Sequence, residues 1–199
     1  MSGGGSACVK SALLPVMAAV AGLSCAHAAS DSSSIDACAL LQPAEIARVL
    51  PGFVADGVRR DAGVESNGAY SSSCVWVVHV SKPPQPEERL ILKGRSYVIL
   101  NAMQWPAGAG KAGSFLASFH EAKASGVLTG ELVPKSFGDE ALWWGDGLAI
   151  RRRDMALGLS VHDISGSAVP GASEEQLAPL LLQRIDARDA RLGRIAKAR

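Results

Sequence analysis

The sequence predicts an α+β domain, mainly an antiparallel sheet flanked by an N-terminal, a middle and a C-terminal helix. Segments typical of strands follow one another in runs joined by short turns. Such runs favour an antiparallel sheet over βαβ units, in which single strands alternate with helices. The chain has 199 residues, a length that fits one domain of about 100–200 residues. We expect residues 36–190 to form that domain.

The N-terminus has the composition of a secretory signal peptide. Lys10 supplies a positive charge, residues 13–23 are mainly apolar, and Ala26-His27-Ala28 forms a small-residue cleavage site. We therefore predict a signal peptide over residues 1–28, followed by a flexible leader over residues 29–35, and a periplasmic or secreted location. No later segment has the 18 or more apolar residues of a membrane-spanning helix, so we expect none in the mature chain.

The charge of the mature chain is balanced. The whole sequence has 20 Lys and Arg and 19 Asp and Glu, and cleavage removes only Lys10. A protein without excess positive charge lacks the electrostatic attraction that nucleic-acid binding requires. We therefore expect no nucleic-acid partner and look instead to an envelope protein or a small ligand.

Four cysteines divide between the two parts of the chain. Cys8 and Cys25 lie in the signal, whereas Cys38 and Cys74 remain after cleavage. In an oxidising compartment this pair predicts a disulfide; two free buried thiols are the alternative. Cys25 could carry a lipid anchor, but Leu23 stands two residues before it rather than three, so ordinary cleavage is favoured and lipid anchoring is the lesser alternative.

Three segments show the spacing of helices. Residues 38–50 place Pro43 at a first helical position and end at Pro51-Gly52. Residues 114–125 end at Gly126. The last helix is predicted to open with a capping box over residues 173–176, although Pro179 also fits a later start. The basic tail, residues 191–199, either extends this helix or frays.

The strands are predicted from β-branched, aromatic and alternating apolar residues. Two apolar runs, 90–92 and 97–100, are separated either by a hairpin turn at residues 93–95 or by a bulge within one long strand. Residues 62–72, 82–88 and 106–113 are predicted loops. The predicted strands are residues 53–61, 74–80, 137–144 and 148–150 (a hairpin around Gly145-Asp146-Gly147), and 155–164.

The sequence contains no recognisable catalytic or cofactor motif, and we predict neither a cofactor nor a metal site. The Gly-rich segment 106–113 lacks the glycine spacing and the Ser or Thr of a phosphate-binding loop. His79, His120 and His162 form no metal-binding pair. His79 and His162 fall opposite the apolar face of their strands, which favours solvent-exposed histidines, with a metal-binding or acid–base role as the alternative.

One local cluster is a candidate binding site: Asp139 and Glu140, followed by Trp143 and Trp144. Carboxylates beside aromatic rings can bind a sugar, a cation or a protein. Alternatively, one tryptophan lies in the core, the other lies at the surface, and Asp139 makes a turn bond. Strand alternation puts the two tryptophans on opposite faces, so we expect at least one to be exposed. The basic run at residues 151–153 is typical of a solvated turn; contact with an anionic envelope surface is the alternative.

Short segments of this chain resemble those of a known group of proteins. Cys38-Ala-Leu-Leu-Gln-Pro-Ala-Glu45 resembles the opening of small exported bacterial envelope proteins, many of them actinobacterial lipoproteins of uncharacterised function, in which Thr stands in place of Gln42. Cys74-Val-Trp76 and Gly138-Asp-Glu-Ala-Leu-Trp143 are similar to later segments of that group. The resemblance implies a compact α+β domain with a Cys38–Cys74 bridge, and it implies no reaction. This chain departs from the group in Gln42 and in lacking a good lipid-attachment motif.

These observations favour an exported, non-catalytic binding module. A small exported domain with a rigidifying disulfide also fits an inhibitor or immunity-type protein acting on an envelope enzyme. A hydrolase that uses His79, His120 or His162 as its base is a further alternative.

Overall fold

The computed structural model describes residues 34–80, 82, 92–166 and 169–198, and the side chains of 196 and 198 are not described. The predicted signal peptide, Cys25 and most of the predicted leader lie outside the described residues, as do most of the proline-rich loop and part of the apolar run 90–92. No helix within the described ranges is long and apolar enough to cross a membrane.

The fold is α+β, as predicted, and the described residues form three α-helices and one antiparallel sheet of eight strands. A 3₁₀ turn over Ala37–Leu40 precedes α1 (Pro43–Val49). The remaining helices are α2 (Ala112–Ala124) and α3 (Ala172–Ala198). The strands are β1 (Phe53–Val54), β2 (Val58–Val64), β3 (Tyr70–His79), β4 (Ser96–Gln104), β5 (Val133–Lys135), β6 (Glu140–Trp143), β7 (Leu148–Arg152) and β8 (Met155–His162).

The order of strands across the sheet is β1-β3-β4-β8-β7-β6-β5, and β2 also pairs with β3. β1 pairs with the end of β3 at Val78 and His79, whereas β2 pairs with its first part. The central pair, β4 with β8, joins strands that are separated along the chain by α2 and three strands. Because β4 and β8 lie in the middle, they set the position of both neighbouring halves of the sheet.

Side-chain alternation gives the sheet two apolar faces. One face packs against α1, α3 and the 3₁₀ turn and forms the main core; its fully buried members include Trp76, Leu100, Leu157 and Leu159. The other face is covered in part by α2. There Leu116 packs against Leu142 and Ala149, with Phe115, Phe119, Leu132 and Trp144 around them.

The N-terminal segment is tied to the sheet by the predicted Cys38–Cys74 disulfide, whose Cα atoms are 5.1 Å apart. The Ala37 N–H donates to the buried Ser72 hydroxyl at 3.1 Å. Ile35, which was assigned to the flexible leader, is fully buried in the main core. The leader prediction is therefore wrong at Ile35, because this apolar side chain has a place between the sheet and α3.

Arg184 joins the same segment to α3. Its guanidinium donates to both carboxylate oxygens of Glu45, at 2.6 and 2.7 Å, and to the Leu40 carbonyl at 2.8 Å. Burial raises the pKa of Glu45, but the hydrogen bonds from Arg184 and the Gln42 N–H, with the Arg184 charge, bring it below its ordinary value.

The helices depart from the sequence prediction at their boundaries. The first predicted helix is divided into a 3₁₀ turn and α1, because Gln42 precedes Pro43 and adopts extended backbone (φ −110°, ψ 148°). α3 begins at Ala172, so Ser173 lies inside the helix rather than capping it, and Pro179 is also within the helix. The helix continues to Ala198, so the described part of the basic tail is helical.

The strands depart from prediction in three places, the first being the predicted strand 53–61, which is divided into β1 and β2. β2 and β3 extend into the predicted loop at 62–72, and β5 was not predicted. Residues 93–95 lie in a turn, in which the Arg95 N–H donates to the Leu92 carbonyl at 3.1 Å, and β4 begins after it. This turn excludes a single bulged strand through 92–100.

We predict that Gly57→Ala destabilises the domain by about 1–3 kcal/mol, the usual cost of overpacking a core. A methyl group at Gly57 would collide with the Cys74 sulfur and would lie 2.7 Å from the Trp76 indole nitrogen. The free energy of unfolding is measured by urea titration. The matched control is Gly113→Ala in α2, where a methyl meets no atom within 4 Å, so that change should be neutral or stabilising. Equal stability of the two variants would contradict the prediction.

Candidate functional site

The four candidate residues around β6 do not form one site. Glu140 and Trp144 lie toward α2 and Trp143 lies toward α3, because successive side chains of a strand point to opposite faces. Glu140 and Trp144 are four residues apart in the sequence, a spacing that corresponds to about 13 Å along a strand. The predicted rim of carboxylates beside aromatics is therefore not assembled.

Asp139 makes the turn bond that the sequence left as an alternative. Its Oδ2 accepts from the Arg153 N–H at 2.5 Å, and its Oδ1 accepts from the Arg152 guanidinium at 3.1 Å. Arg153 has a φ of 55°, the strained left-handed backbone of the β7–β8 turn. Asp139 thus holds a turn in place rather than facing a ligand.

Gly138 explains why this carboxylate can reach the turn. Its φ is 61°, and a Cβ there would collide with the Arg151 carbonyl oxygen. The Asp139 N–H donates to that same oxygen at 2.8 Å. The backbone geometry at this point of the sheet therefore requires a glycine at the start of the Gly-Asp-Glu segment.

The basic run at residues 151–153 is neutralised by carboxylates. Arg151 contacts Glu140 at 3.3 Å, Arg152 contacts Asp186 at 2.9 Å, and Arg153 contacts Asp189 at 2.6 Å. Two of these partners lie on α3, so the run joins the β7–β8 turn to the last helix.

The two tryptophans lie on opposite faces as predicted, but neither is exposed: both are half-buried. Trp144 packs against Phe119 with ring centroids 5.0 Å apart, and Gly147 leaves room for its indole ring. Trp143 packs partly against the main core and partly lines a groove. The expectation of an exposed tryptophan is wrong because α2 covers one ring and the start of α3 covers the other.

This groove, which we call the end groove, lies where β4 begins and β8 ends, beside the β6–β7 turn and the first turn of α3. Its volume is about 530 Å³, within the range of small-molecule sites. Aromatic, hydroxyl and carboxylate side chains line it: Tyr97, Trp143, Asp146, Ser160, His162, Asp163, Ser173 and Glu174. Among the described residues, its lining includes three carboxylates and neither Lys nor Arg.

Glu174 is the most deeply buried of these carboxylates, with only 2% of its surface exposed. Its Oε1 accepts from the Val161 N–H at 2.8 Å, which attaches the first turn of α3 to the end of β8. Burial raises the pKa of Glu174, although the Val161 N–H favours the ionised form and opposes this effect. Among the described residues, no Lys or Arg side chain pairs with it.

The opposite wall of the end groove is formed by Tyr97 and His162, neighbours on β4 and β8. Their rings stack with centroids 4.8 Å apart and planes inclined by 24°. Asp163 follows at the end of β8, where it accepts from Ser96 Oγ at 3.3 Å and from the Ser165 N–H at 2.9 Å. Paired strands and a closed turn therefore fix this wall.

The three histidines occupy different places. His162 is exposed on its strand, as predicted, and His120 is exposed on α2. The prediction for His79 is wrong: it is only 6% exposed and lies against the Arg95 guanidinium, with its Nε2 at 2.9 Å from Nη1. Within the described ranges, no three His, Cys, Asp or Glu side chains come close enough to hold a metal ion.

Sequence reasoning found Trp143 and named His162 as a possible base, but it missed the other side chains of the end groove. Tyr97, Asp146 and Glu174 belong to segments that are far apart in the chain. The pairing of β8 with β4 and with β7, and the hydrogen bond from the Val161 N–H to Glu174, bring them to one end of the sheet. One local signal is present: Glu174 stands three residues before the buried Leu177, a spacing that puts both on one side of a helix.

We predict that Asp139→Asn lowers the free energy of unfolding by about 1 kcal/mol at pH 7, since charge-assisted hydrogen bonds are stronger than neutral ones. The hydrogen bonds from the Arg153 N–H and the Arg152 guanidinium hold the pKa of Asp139 below its ordinary value of 3.8. Its contribution is therefore complete above that value and is lost as the pH falls through the lower, folded value.

Urea unfolding between about pH 7 and pH 2 checks this expectation, because the difference between wild type and Asp139→Asn should disappear at the acid end. Glu131→Gln is the control: Glu131 is exposed, and no hydrogen bond or ion pair involves it within the described ranges. If the Asp139 and Glu131 variants unfold alike at pH 7, Asp139 does not hold the turn.

Comparison with known proteins gives no relative for this chain. No family model matches it, and no curated protein or solved structure is significantly similar to it.

Proposed function

We propose that this chain is an exported, non-catalytic binding module and that the end groove is its ligand site. One observation supports this proposal. A cavity of about 530 Å³ lies at one end of the sheet, and its lining includes the rings of Tyr97 and Trp143 and three carboxylates. Sites for small ligands are typically concave, with apolar walls and a few polar groups that fix orientation.

The rigidity of the groove supports the same proposal. Tyr97 and His162 lie opposite each other in the central strand pair, and Glu174 is attached to the Val161 backbone. Gly171, with a φ of 84°, lies under the Trp143 ring, and a Cβ there would be 3.4 Å from it. Walls that are fixed before binding lose little conformational entropy when a ligand arrives.

The sequence supports the exported part of the proposal. Residues 1–28 have the charge, apolar core and cleavage site of a signal peptide. The Cys38–Cys74 disulfide is compatible with an oxidising compartment. The resemblance of the Cys38–Glu45 and Gly138–Trp143 segments to exported envelope proteins agrees with this location.

We expect the full chain, produced in a bacterial host, to be recovered outside the cytoplasm with Ala29 at its N-terminus and with no free thiols. Intact-mass measurement with and without thiol alkylation checks both points. A variant lacking residues 2–28 should stay in the cytoplasm with reduced cysteines. Recovery of the full chain uncleaved in the cytoplasm, or with a lipid on Cys25, would contradict ordinary cleavage and release.

Binding at the end groove is tested with probe compounds of three charge classes: choline and butylamine, N-acetylglucosamine and glycerol, acetate and phosphate. We expect at least one probe to bind in calorimetric titration and Trp143→Phe to weaken it about threefold or more, because the smaller ring offers less contact and a weaker π face. Trp105→Phe is the matched control, since Trp105 follows the far end of β4 and packs in a separate cluster away from the groove.

Two results would contradict the proposal. One is that no probe binds the folded wild-type protein. The other is that Trp105→Phe weakens binding as much as Trp143→Phe does, because the ligand would then lie elsewhere. Circular dichroism of both variants establishes that each remains folded.

A further inference from the structure

The last helix continues beyond the part of it that packs on the sheet. Leu181 and Ile185 of α3 are fully buried in the main core. Arg188 donates to Gln104, the last residue of β4, at 2.9 Å. Beyond this contact α3 includes residues 190–198, which we call the terminal segment. The side chains described in it are exposed, with one half-buried exception.

The apolar side of α3 continues into the terminal segment. From Leu181, apolar side chains recur four, eleven and fourteen residues later, at Ile185, Leu192 and Ile195. These spacings place all four along one side of a helix. Leu192 is half-buried, and Ile195 is 48% exposed. The terminal segment therefore has an apolar side that the described part of the domain does not fully cover.

Basic side chains occupy a different side of the same segment. Because each residue turns a helix by about 100°, Arg191, Arg194 and Lys197 lie within an arc of about 120° around the axis. Leu192 and Ile195 lie within an arc of about 60° outside it. Among the described residues, no hydrogen bond or ion pair involves the three basic side chains. The terminal segment is therefore amphipathic, with a cationic polar side.

The positive charge of this segment is not cancelled by its own helix. Residues 190–199 contain four of the 20 Lys and Arg of the chain and none of its 19 Asp and Glu. The nearest carboxylates that precede them, Asp186 and Asp189, already contact Arg152 and Arg153, at 2.9 and 2.6 Å. The end of α3 is thus positive in a chain whose total charge is nearly balanced.

A helix with separate basic and apolar sides fits the surface of a lipid bilayer. Basic side chains meet anionic headgroups, while neighbouring apolar side chains reach the boundary of the acyl chains. A dissolved polyanion would use only the charges and would leave Leu192 and Ile195 in water. A second copy of the segment would bring an equal positive charge to the same contact.

We propose that the terminal segment of α3 binds the surface of an anionic lipid bilayer. Its two apolar side chains lie toward the acyl chains, and its three basic side chains lie among the headgroups. This surface is distinct from the end groove, which lies at the first turn of α3, about 30 Å away along the helix. The bilayer contact therefore leaves the end groove clear.

The test is cosedimentation with lipid vesicles. Residues 33–199 form a compact unit of their own, so the protein is prepared from Ala29 onward with its disulfide formed, because an apolar signal peptide would itself bind lipid. We expect vesicles of phosphatidylglycerol and phosphatidylcholine in equal parts to bind at least about tenfold more tightly than pure phosphatidylcholine. Added salt should weaken this binding.

Paired variants locate the charge that matters. Arg191→Gln combined with Arg194→Gln should weaken binding to the anionic vesicles about tenfold or more, since each basic residue near such a surface contributes about a factor of five. The control is Arg48→Gln combined with Lys93→Gln, which removes two exposed charges from α1 and from the turn before β4. We expect this control to bind nearly as the wild type does.

A second pair of variants examines the apolar side. Ile195→Ser should weaken vesicle binding about threefold or more, because a hydroxyl cannot replace the contact with the acyl chains. Val127→Ser is the control: it removes another exposed apolar side chain, 77% exposed in the loop after α2, and should bind as the wild type does. Urea titration establishes that each variant remains folded.

Three results would overturn the proposal. One is equal binding, or no binding, to the two kinds of vesicle. Another is an equal effect of the two double variants. The third is binding to heparin as tight as to anionic vesicles and unchanged by Ile195→Ser, which would indicate a dissolved polyanion instead. Titration of the end groove with its soluble probes is independent of these results, so each proposal can fail alone.

Discussion

The burial of the N-terminal segment between the sheet and α3 is the constraint on which the main core depends. Ile35, Leu41 and Ile46 are fully buried there, in one core with residues of the sheet and of α3. Two different bonds hold the segment: the Cys38–Cys74 disulfide to β3, and the Arg184–Glu45 ion pair to α3. The first is covalent and the second is charge-assisted, so the segment is fixed on both of its sides.

The end groove depends on the same arrangement through α3. One part of this helix is bound to Glu45 by Arg184, and its first turn is bound to β8 by Glu174. Asp186 and Asp189 attach its later part to the β7–β8 turn through arginines. A helix held at three points cannot shift along the sheet, and the carboxylate of Glu174 therefore keeps its place at the groove.

The local sequence pattern was enough to predict the fold class and most of the helices and strands. The alternation typical of strands is seen at Trp76, Leu100 and Leu159. The disulfide was predicted from the two cysteines that remain after the predicted signal cleavage. The predicted site is not assembled, because adjacency in sequence placed Glu140 beside Trp143, whereas the pleat of β6 directs their side chains to opposite faces of the sheet. The end groove could not be predicted, since Tyr97 and Glu174 meet only through long-range strand pairing. His79 shows the same limit: its burial depends on Arg95, from another segment.

The pairing of β4 with β8 has a consequence for how quickly the chain folds. These central strands are separated by α2 and by β5, β6 and β7, and contacts between distant segments form slowly because a large loop must close first. The sheet cannot be completed until nearly the whole chain is available. Late folding would keep the chain extended during the passage through a membrane channel that the proposed export requires.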